Sequence, residues 1–162
     1  LRPGHPPQRR EAVDLDAGRL EKAKQLGADV SLKGDEVDVA AEVRKLTGGR
    51  GADVALEVVG ATATIKTAID SVRKGGAVTL VGNLAPNVNM PLQSIVTREI
   101  SIYGTCASSG EYPACIDLLE RQAIRVEPLI TAKASLAQGP DWFARLYAGE
   151  PGAMKVILDP TL

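Results

Sequence analysis

Two dense apolar stretches, Asp53–Val59 and Ala77–Val81, constrain this chain more than any other feature. Each is bounded by turn-forming residues. Between them lies a segment of helical spacing, Thr62–Arg73, with Ile65, Ala68, Ile69 and Val72 on one side. Apolar runs that do not alternate with polar residues read as strands buried on both faces. Two such strands joined through a helix make a parallel pair with a right-handed crossover.

The same punctuation recurs along the chain. Further strands are predicted at Glu11–Leu15, Asp29–Leu32, Ser101–Tyr103, Leu129-Ile130 and Lys155–Leu158. A helix over Ala17–Leu26 has Asp16 as its cap and Gly27 as its left-handed stop. Another carries Val39, Val43 and Leu46, opened by Asp35 and Asp38 at capping-box spacing. Two more fall near Glu111–Gln122, with Ile116, Leu118 and Leu119, and near Asp141–Tyr147. The expected fold class is α/β, a doubly wound parallel sheet covered on both faces.

Aromatic residues are 3% of the 162, so such a core must be built from Val, Ile, Leu and Ala. A formal net charge of −1 offers no basic footprint for nucleic acid or an acidic membrane surface. No apolar run approaches a membrane span and no signal-peptide pattern opens the chain, so a cytoplasmic location is expected. Cys106 and Cys115 have no second pair, and His5 is the only histidine. Together they cannot complete a four-ligand zinc site, and reduced, structural thiols are expected. The opening Leu1–Arg10 holds three prolines and three arginines. It reads as a disordered or foreign lead-in, such as a shifted reading frame or a wrongly chosen start would leave, with the folded part beginning near Glu11.

Three predicted strands end alike, at Val59-Gly60, Val81-Gly82-Asn83 and Tyr103-Gly104-Thr105. In a parallel sheet these ends share one edge, just beyond which α/β sheets bind ligands. Each glycine has two readings: it eases a turn, or it lets a ligand approach the backbone. Asp14 ends the strand Ala12-Val13-Asp14, where a carboxylate can accept bonds from both hydroxyls of an adenosine ribose and would repel a 2′-phosphate. Its rival role is to compete with Asp16 for the helix cap. Arg19 is either a flank for the adenosine or a solvated charge. No strand followed by Gly-x-Gly-x-x-Gly precedes Asp14, and Gly48-Gly49-Arg50-Gly51 follows a helix, so it is a turn and no substitute.

With those residues placed, the chain from Ala12 onward resembles the coenzyme-binding domain of zinc-type medium-chain alcohol and polyol dehydrogenases. The most specific part is Val13–Asp29 (VDLDAGRLEKAKQLGAD). Thr47–Asp53, Glu57-Val58-Val59-Gly60, Gly75-Gly76 and Leu80-Val81-Gly82 follow in the family's order, and Gly152–Leu158 resembles the strand closing its catalytic domain. The resemblance implies NAD as cofactor, with Asp14 on the ribose and Arg19 beside it. It places the backbone of Gly60, Val81, Gly82 and Asn83, and that of Thr105, Cys106 and Ala107, along the nicotinamide end. It implies hydride transfer between an alcohol carbon and the nicotinamide, with zinc polarising the alcohol oxygen. The zinc ligands of such enzymes lie in an N-terminal part that this sequence does not contain, so no residue here is assigned a catalytic or metal role. A small alcohol or polyol is the implied substrate, and a homo-oligomer the implied assembly of the intact enzyme.

The resulting division is a lead-in at 1–10, a partial nucleotide-binding domain at 11–106 and C-terminal elements of a catalytic domain at 107–162. The sheet is expected to be incomplete: the first strand, glycine loop and first helix are missing, which leaves the second and fourth strands of a 3-2-1-4-5-6 order with unpaired edges. The fragment itself is expected to be inactive. Three other readings compete. A zinc-free, NADPH-using quinone reductase of the same superfamily would replace the acid at Asp14 with a basic residue. A methyltransferase would need a reversed hairpin at the sheet's end, which this order of elements does not suggest. A non-catalytic nucleotide-binding fragment is the third.

Overall fold

The computed structural model describes residues 9–162. Most of the expected lead-in, residues 1–8, lies outside the described residues. Two compact units make up the rest: the chain up to Lys33 together with Tyr112–Leu162, and Gly34–Glu111.

The first unit opens with β1 (Glu11–Asp14), α1 (Ala17–Gln25) and β2 (Val30–Lys33). The strands pair in parallel, Glu11 against Val30 and Asp14 against Lys33. Arg10 already belongs to this arrangement: its N–H donates to Asp29 Oδ2 at 2.8 Å and its carbonyl accepts the Asp29 N–H at 2.8 Å. The Arg10 N–H, donating to its Oδ2, holds the Asp29 carboxyl below its ordinary pKa. α1 starts and stops as its sequence requires. Asp16 accepts the Arg19 N–H at 2.8 Å. Gly27, at φ 105°, ends the helix while its own N–H and that of Ala28 return to the carbonyls of Lys24 and Ala23. Leu20 is the side chain that α1 buries.

The second unit contains α2 (Val39–Leu46), β3 (Ala52–Glu57), α3 (Thr62–Ser71), β4 (Val72–Leu80), α4 (Leu92–Thr97) and β5 (Ser101–Gly104). Asp38, not Asp35, caps α2: its backbone is extended and its Oδ1 accepts the Ala41 N–H at 2.9 Å. The strands form one parallel sheet in the order β3-β4-β5. α3 is two residues shorter than expected and β4 begins five residues earlier, because Val72 pairs with Ala52 before a register shift that sets Ala77 against Val54. Gly75, at φ 66°, sits within that irregular stretch. The six-residue α4 follows Pro91 and is too short for its periodicity to announce it.

Ile65 and Ile69 of α3 pack with Val72 and Val78 of β4 and with Ile100, and Ala55, Leu80 and Ile102 border this core. Ala55, Val78 and Ile102 are registered neighbours, so they present one sheet face to α3. The opposite face of β3 departs from the expected two-sided burial. Val54, Leu56 and Val58 are 57%, 69% and 67% exposed, since the helices of this unit cover one side. Among the described residues β3 pairs only with β4, and β1 only with β2.

Back in the first unit, α5 (Tyr112–Glu120) buries no residue, and a short 3₁₀ turn, Glu127–Leu129, leads into β6 (Ile130–Ser135). β6 extends well beyond the expected Leu129-Ile130 because it pairs in parallel with β7 (Lys155–Asp159) after α6 (Gly139–Tyr147). Thr131 Oγ1 fastens the loop before β7, accepting the Met154 N–H at 2.8 Å and donating to the Gly152 carbonyl at 3.2 Å. The Arg125 guanidinium donates to the Gln25 carbonyl at 2.8 Å, tying this segment to the end of α1.

Candidate functional site

In the first unit, Asp14 is the last residue of β1. Its Oδ1 accepts the Asp16 N–H at 2.9 Å, and its Oδ2 stands 3.9 Å from Arg19 Nη1. The cap of α1 belongs to Asp16, so the rivalry between the two acids is resolved. Among the described residues Asp14 Oδ2 accepts no hydrogen bond and is held only in a loose ion pair with the Arg19 guanidinium, too distant for a hydrogen bond. A cleft of about 420 Å³ opens beside it, lined by Asp14, Arg19, Lys22, Leu26, Leu129 and Met154. That volume falls in the range of small-ligand sites. A carboxylate with a spare acceptor at a strand's carboxyl end suits the paired hydroxyls of a ribose.

In the second unit, the carboxyl ends of β3, β4 and β5 share one edge. Gly60 has φ 82°, and a Cβ built on it would lie 2.4 Å from the Asn83 nitrogen. A Cβ on Gly82 would lie 2.1 Å from the Gly60 nitrogen. Both glycines are thus required by backbone packed on backbone. Gly104 differs: its φ is ordinary and nothing lies within 4 Å of where its Cβ would be. The N–H groups of Val81 and Gly82 donate to the Glu57 carbonyl at 2.7 and 3.0 Å, so the turn after β4 hangs on the end of β3. The turn after β5 is tied to β4, because Thr105 donates to the Leu80 carbonyl through both N–H (3.1 Å) and Oγ1 (3.3 Å).

Beyond Thr105, Cys106 is exposed and Ala107 has φ 44°, in the left-handed region that a residue with a Cβ rarely occupies. The Glu111 carboxylate steadies this loop, accepting the Ser109 N–H at 2.6 Å and the Ser108 hydroxyl at 3.0 Å. The Ser109 bond, first among the causes, holds the Glu111 carboxyl below its ordinary pKa. The candidate residues therefore gather in two places. Asp14 and Arg19 adjoin in one unit; Gly60, Val81, Gly82, Asn83, Thr105, Cys106 and Ala107 follow adjacent strand ends in the other.

Sequence reasoning passed over Glu57, a carboxylate only 4% exposed at the end of β3. Its signal was an acid inside an apolar run, which needs hydrogen bonds to be tolerated there. Metal chemistry finds no such footing: among the described residues no group of three or more His, Cys, Asp or Glu could hold an ion. A zinc site does not fit this chain's described residues.

The sequence pattern of the zinc-binding dehydrogenases matches residues 11–121. The chain belongs to the zinc-binding dehydrogenase family. Among the relatives of this family member, an (R,R)-butanediol dehydrogenase of Neisseria gonorrhoeae is 32% identical over 93% of this chain and 43% of its own length. A sorbitol dehydrogenase of Bacillus subtilis is 35% identical over 91% of this chain and 42% of its own length. The crystal structure of the 2R,3R-butanediol dehydrogenase of Bacillus subtilis superposes with a TM-score of 0.84 at 28% identity, covering 93% of this chain and 43% of that one. The chain thus spans less than half the length of these zinc-binding dehydrogenases. Its own α/β architecture with parallel sheets is theirs. No helix among the described residues is long and apolar enough to cross a membrane.

Proposed function

We infer that this chain supplies the coenzyme-binding part, 11–106, and closing elements of the catalytic domain, 107–162, of an NAD-dependent, zinc-type alcohol or polyol dehydrogenase. Asp14 carries the reading. It is a carboxylate at a strand's carboxyl end, relieved of the capping role by Asp16, with Oδ2 held only in a loose ion pair with Arg19 beside an open cleft. There it accepts the two ribose hydroxyls of NAD and repels the 2′-phosphate of NADP, and Arg19 flanks the adenosine. Backbone groups of Gly60, Val81, Gly82, Asn83, Thr105, Cys106 and Ala107 line the nicotinamide end. The nicotinamide, when bound, supplies the hydride-accepting carbon; the chain's residues bind and orient it. No step is assigned to zinc, because the described residues do not form a site for it.

The names of the relatives support a small alcohol or polyol as substrate of the whole enzyme. A homo-oligomer without nucleic-acid or membrane partners completes the reading. The exposed, unpaired Cys106 and Cys115 favour the reducing cytoplasm. Titration of the chain with NADH and NADPH tests the proposal, with tighter binding of NADH expected. Tighter binding of NADPH would overturn it.

A further inference from the structure

Glu57 is buried, yet it makes no salt bridge among the described residues. Its charge is met by backbone. Oε1 accepts the N–H groups of Val59 and Gly60, each at 2.9 Å, and Oε2 accepts the Gly60 N–H as well, at 3.0 Å. The carbonyl of the same residue accepts the N–H groups of Val81 and Gly82. One residue therefore fixes the turn after β3 with its side chain and the turn after β4 with its main chain. Two further bonds lock the turns together, Leu84 N–H to the Val59 carbonyl at 3.2 Å and Ala85 N–H to the Gly60 carbonyl at 3.0 Å.

We propose that Glu57 is a positioning residue for the nicotinamide end of the coenzyme, acting through the Gly60–Gly82 contact and touching neither coenzyme nor substrate itself. The proposal rests on the coenzyme reading of this strand edge. The chemistry demands a carboxylate. Both oxygens face the Gly60 N–H, so an amide in either orientation sets an NH₂ against that donor. A carboxylate one methylene shorter pulls back from both amides. Charge-assisted bonds to backbone amides are the stronger kind, and burial raises the cost of leaving those donors unmade.

The test compares the wild-type chain with Glu57→Gln, Glu57→Asp and Asp14→Ala. Amide hydrogen exchange is read residue by residue, and binding is titrated with NADH and with AMP. Both Glu57 variants are expected to speed exchange at Val59, Gly60 and Gly82 by at least about tenfold, with Ile69 in the core unchanged. They are expected to weaken NADH roughly tenfold while leaving AMP alone; Asp14→Ala is expected to weaken both probes. Unchanged exchange at Val59 and Gly60 would overturn the proposal. So would equal weakening of NADH and AMP with accelerated exchange at Ile69, which marks a merely structural role. A wild-type chain that binds AMP and NADH, paired with a Glu57→Gln variant that binds both with unchanged affinity, sinks this inference alone. A wild-type chain that binds neither sinks the coenzyme reading and this inference with it.

Discussion

The amide nitrogen of Gly60 occupies the space that a Cβ on Gly82 would need, 2.1 Å away, so the turns that follow β3 and β4 meet backbone to backbone at this point. The atoms nearest a Cβ on either glycine are all backbone, with no side-chain end that could yield. Gly82→Ala is therefore expected to push the turns apart and destabilise the chain by about 3 kcal/mol, at the upper end of overpacking costs. Gly104→Ala, at the neighbouring strand end, meets nothing within 4 Å and is expected to cost under about 1 kcal/mol. Urea unfolding of both variants checks the contrast. Equal losses would mean that the turns do not meet as described.

Arg98 closes the other end of the same unit. Its guanidinium donates to the Ile69 carbonyl at 3.1 Å, to the Val72 carbonyl, and to Ser94 Oγ at 3.4 Å, while its own carbonyl accepts the Gly75 N–H at 2.8 Å. A cation thus satisfies carbonyls at the end of α3, where the helix dipole is negative. Arg98→Ala is expected to lower stability by about 2–3 kcal/mol. Arg98→Lys should recover only part of this, because an ammonium cannot reproduce the planar fork. Full recovery by lysine would show that charge alone is at work.

Asp14→Ala tests cofactor choice while leaving in place the capping bond from the Arg19 N–H to Asp16, though it removes the acceptor of the Asp16 N–H. Losing a carboxylate that favours ribose hydroxyls and repels a 2′-phosphate should narrow the ratio of NADH to NADPH affinity by roughly tenfold or more. Asp16→Ala, by contrast, should lower thermal stability by about 1 kcal/mol and leave the ratio alone. A ratio that Asp14→Ala does not move would remove Asp14 from the site.

Asp53 joins the Gly-rich turn to the irregular start of β4. Its Oδ1 accepts from Arg73 Nε at 2.6 Å and its Oδ2 from Arg50 at 3.3 Å. The Arg73 bond is the largest of the causes that lower its pKa below the ordinary 3.8. The stabilisation is therefore complete above that ordinary value and is lost as pH falls through the lower folded-state value. The carboxylate is 59% exposed, so solvent screening keeps the effect small. Asp53→Asn should cost under about 1 kcal/mol at pH 7 and progressively less as the pH is lowered below the ordinary carboxylate value, as read by denaturant midpoints along that series. A difference that grows on acidification would reverse the sign and refute the linkage.

Metal content gives the simplest test of the donor set. With no cluster of three ligands among the described residues, the chain dialysed after exposure to zinc should retain far less than one ion per chain by atomic absorption. It should also show no alcohol-dependent reduction of NAD. Stoichiometric zinc, or turnover above a buffer control, would show that ligands have been overlooked.

Sequence alone determined whatever depends on neighbours a few residues apart. The cap at Asp16, the stop at Gly27 and the placing of Asp14 at a strand end are interactions within one turn of the chain, and apolar runs flanked by glycine marked β3 and the last four residues of β4. The parallel α/β class followed from the same periodicities. Tertiary structure decided what needs two distant segments to meet. Only the ladder between Ala52 and Val72 shows that β4 starts where a helix was expected to continue, and only the pairing with β7 draws β6 out to Ser135. Both readings of Gly60 and Gly82 were open until their backbones were found 22 residues apart in sequence and in contact in space. Glu57 was legible merely as an acid in an apolar run, because the donors that let it stay buried belong to a turn whose path is set by folding. The physical reason is range: propensity and capping act along the chain, whereas burial, close backbone approach and the satisfaction of a buried charge are properties of surfaces that exist only once the chain has folded.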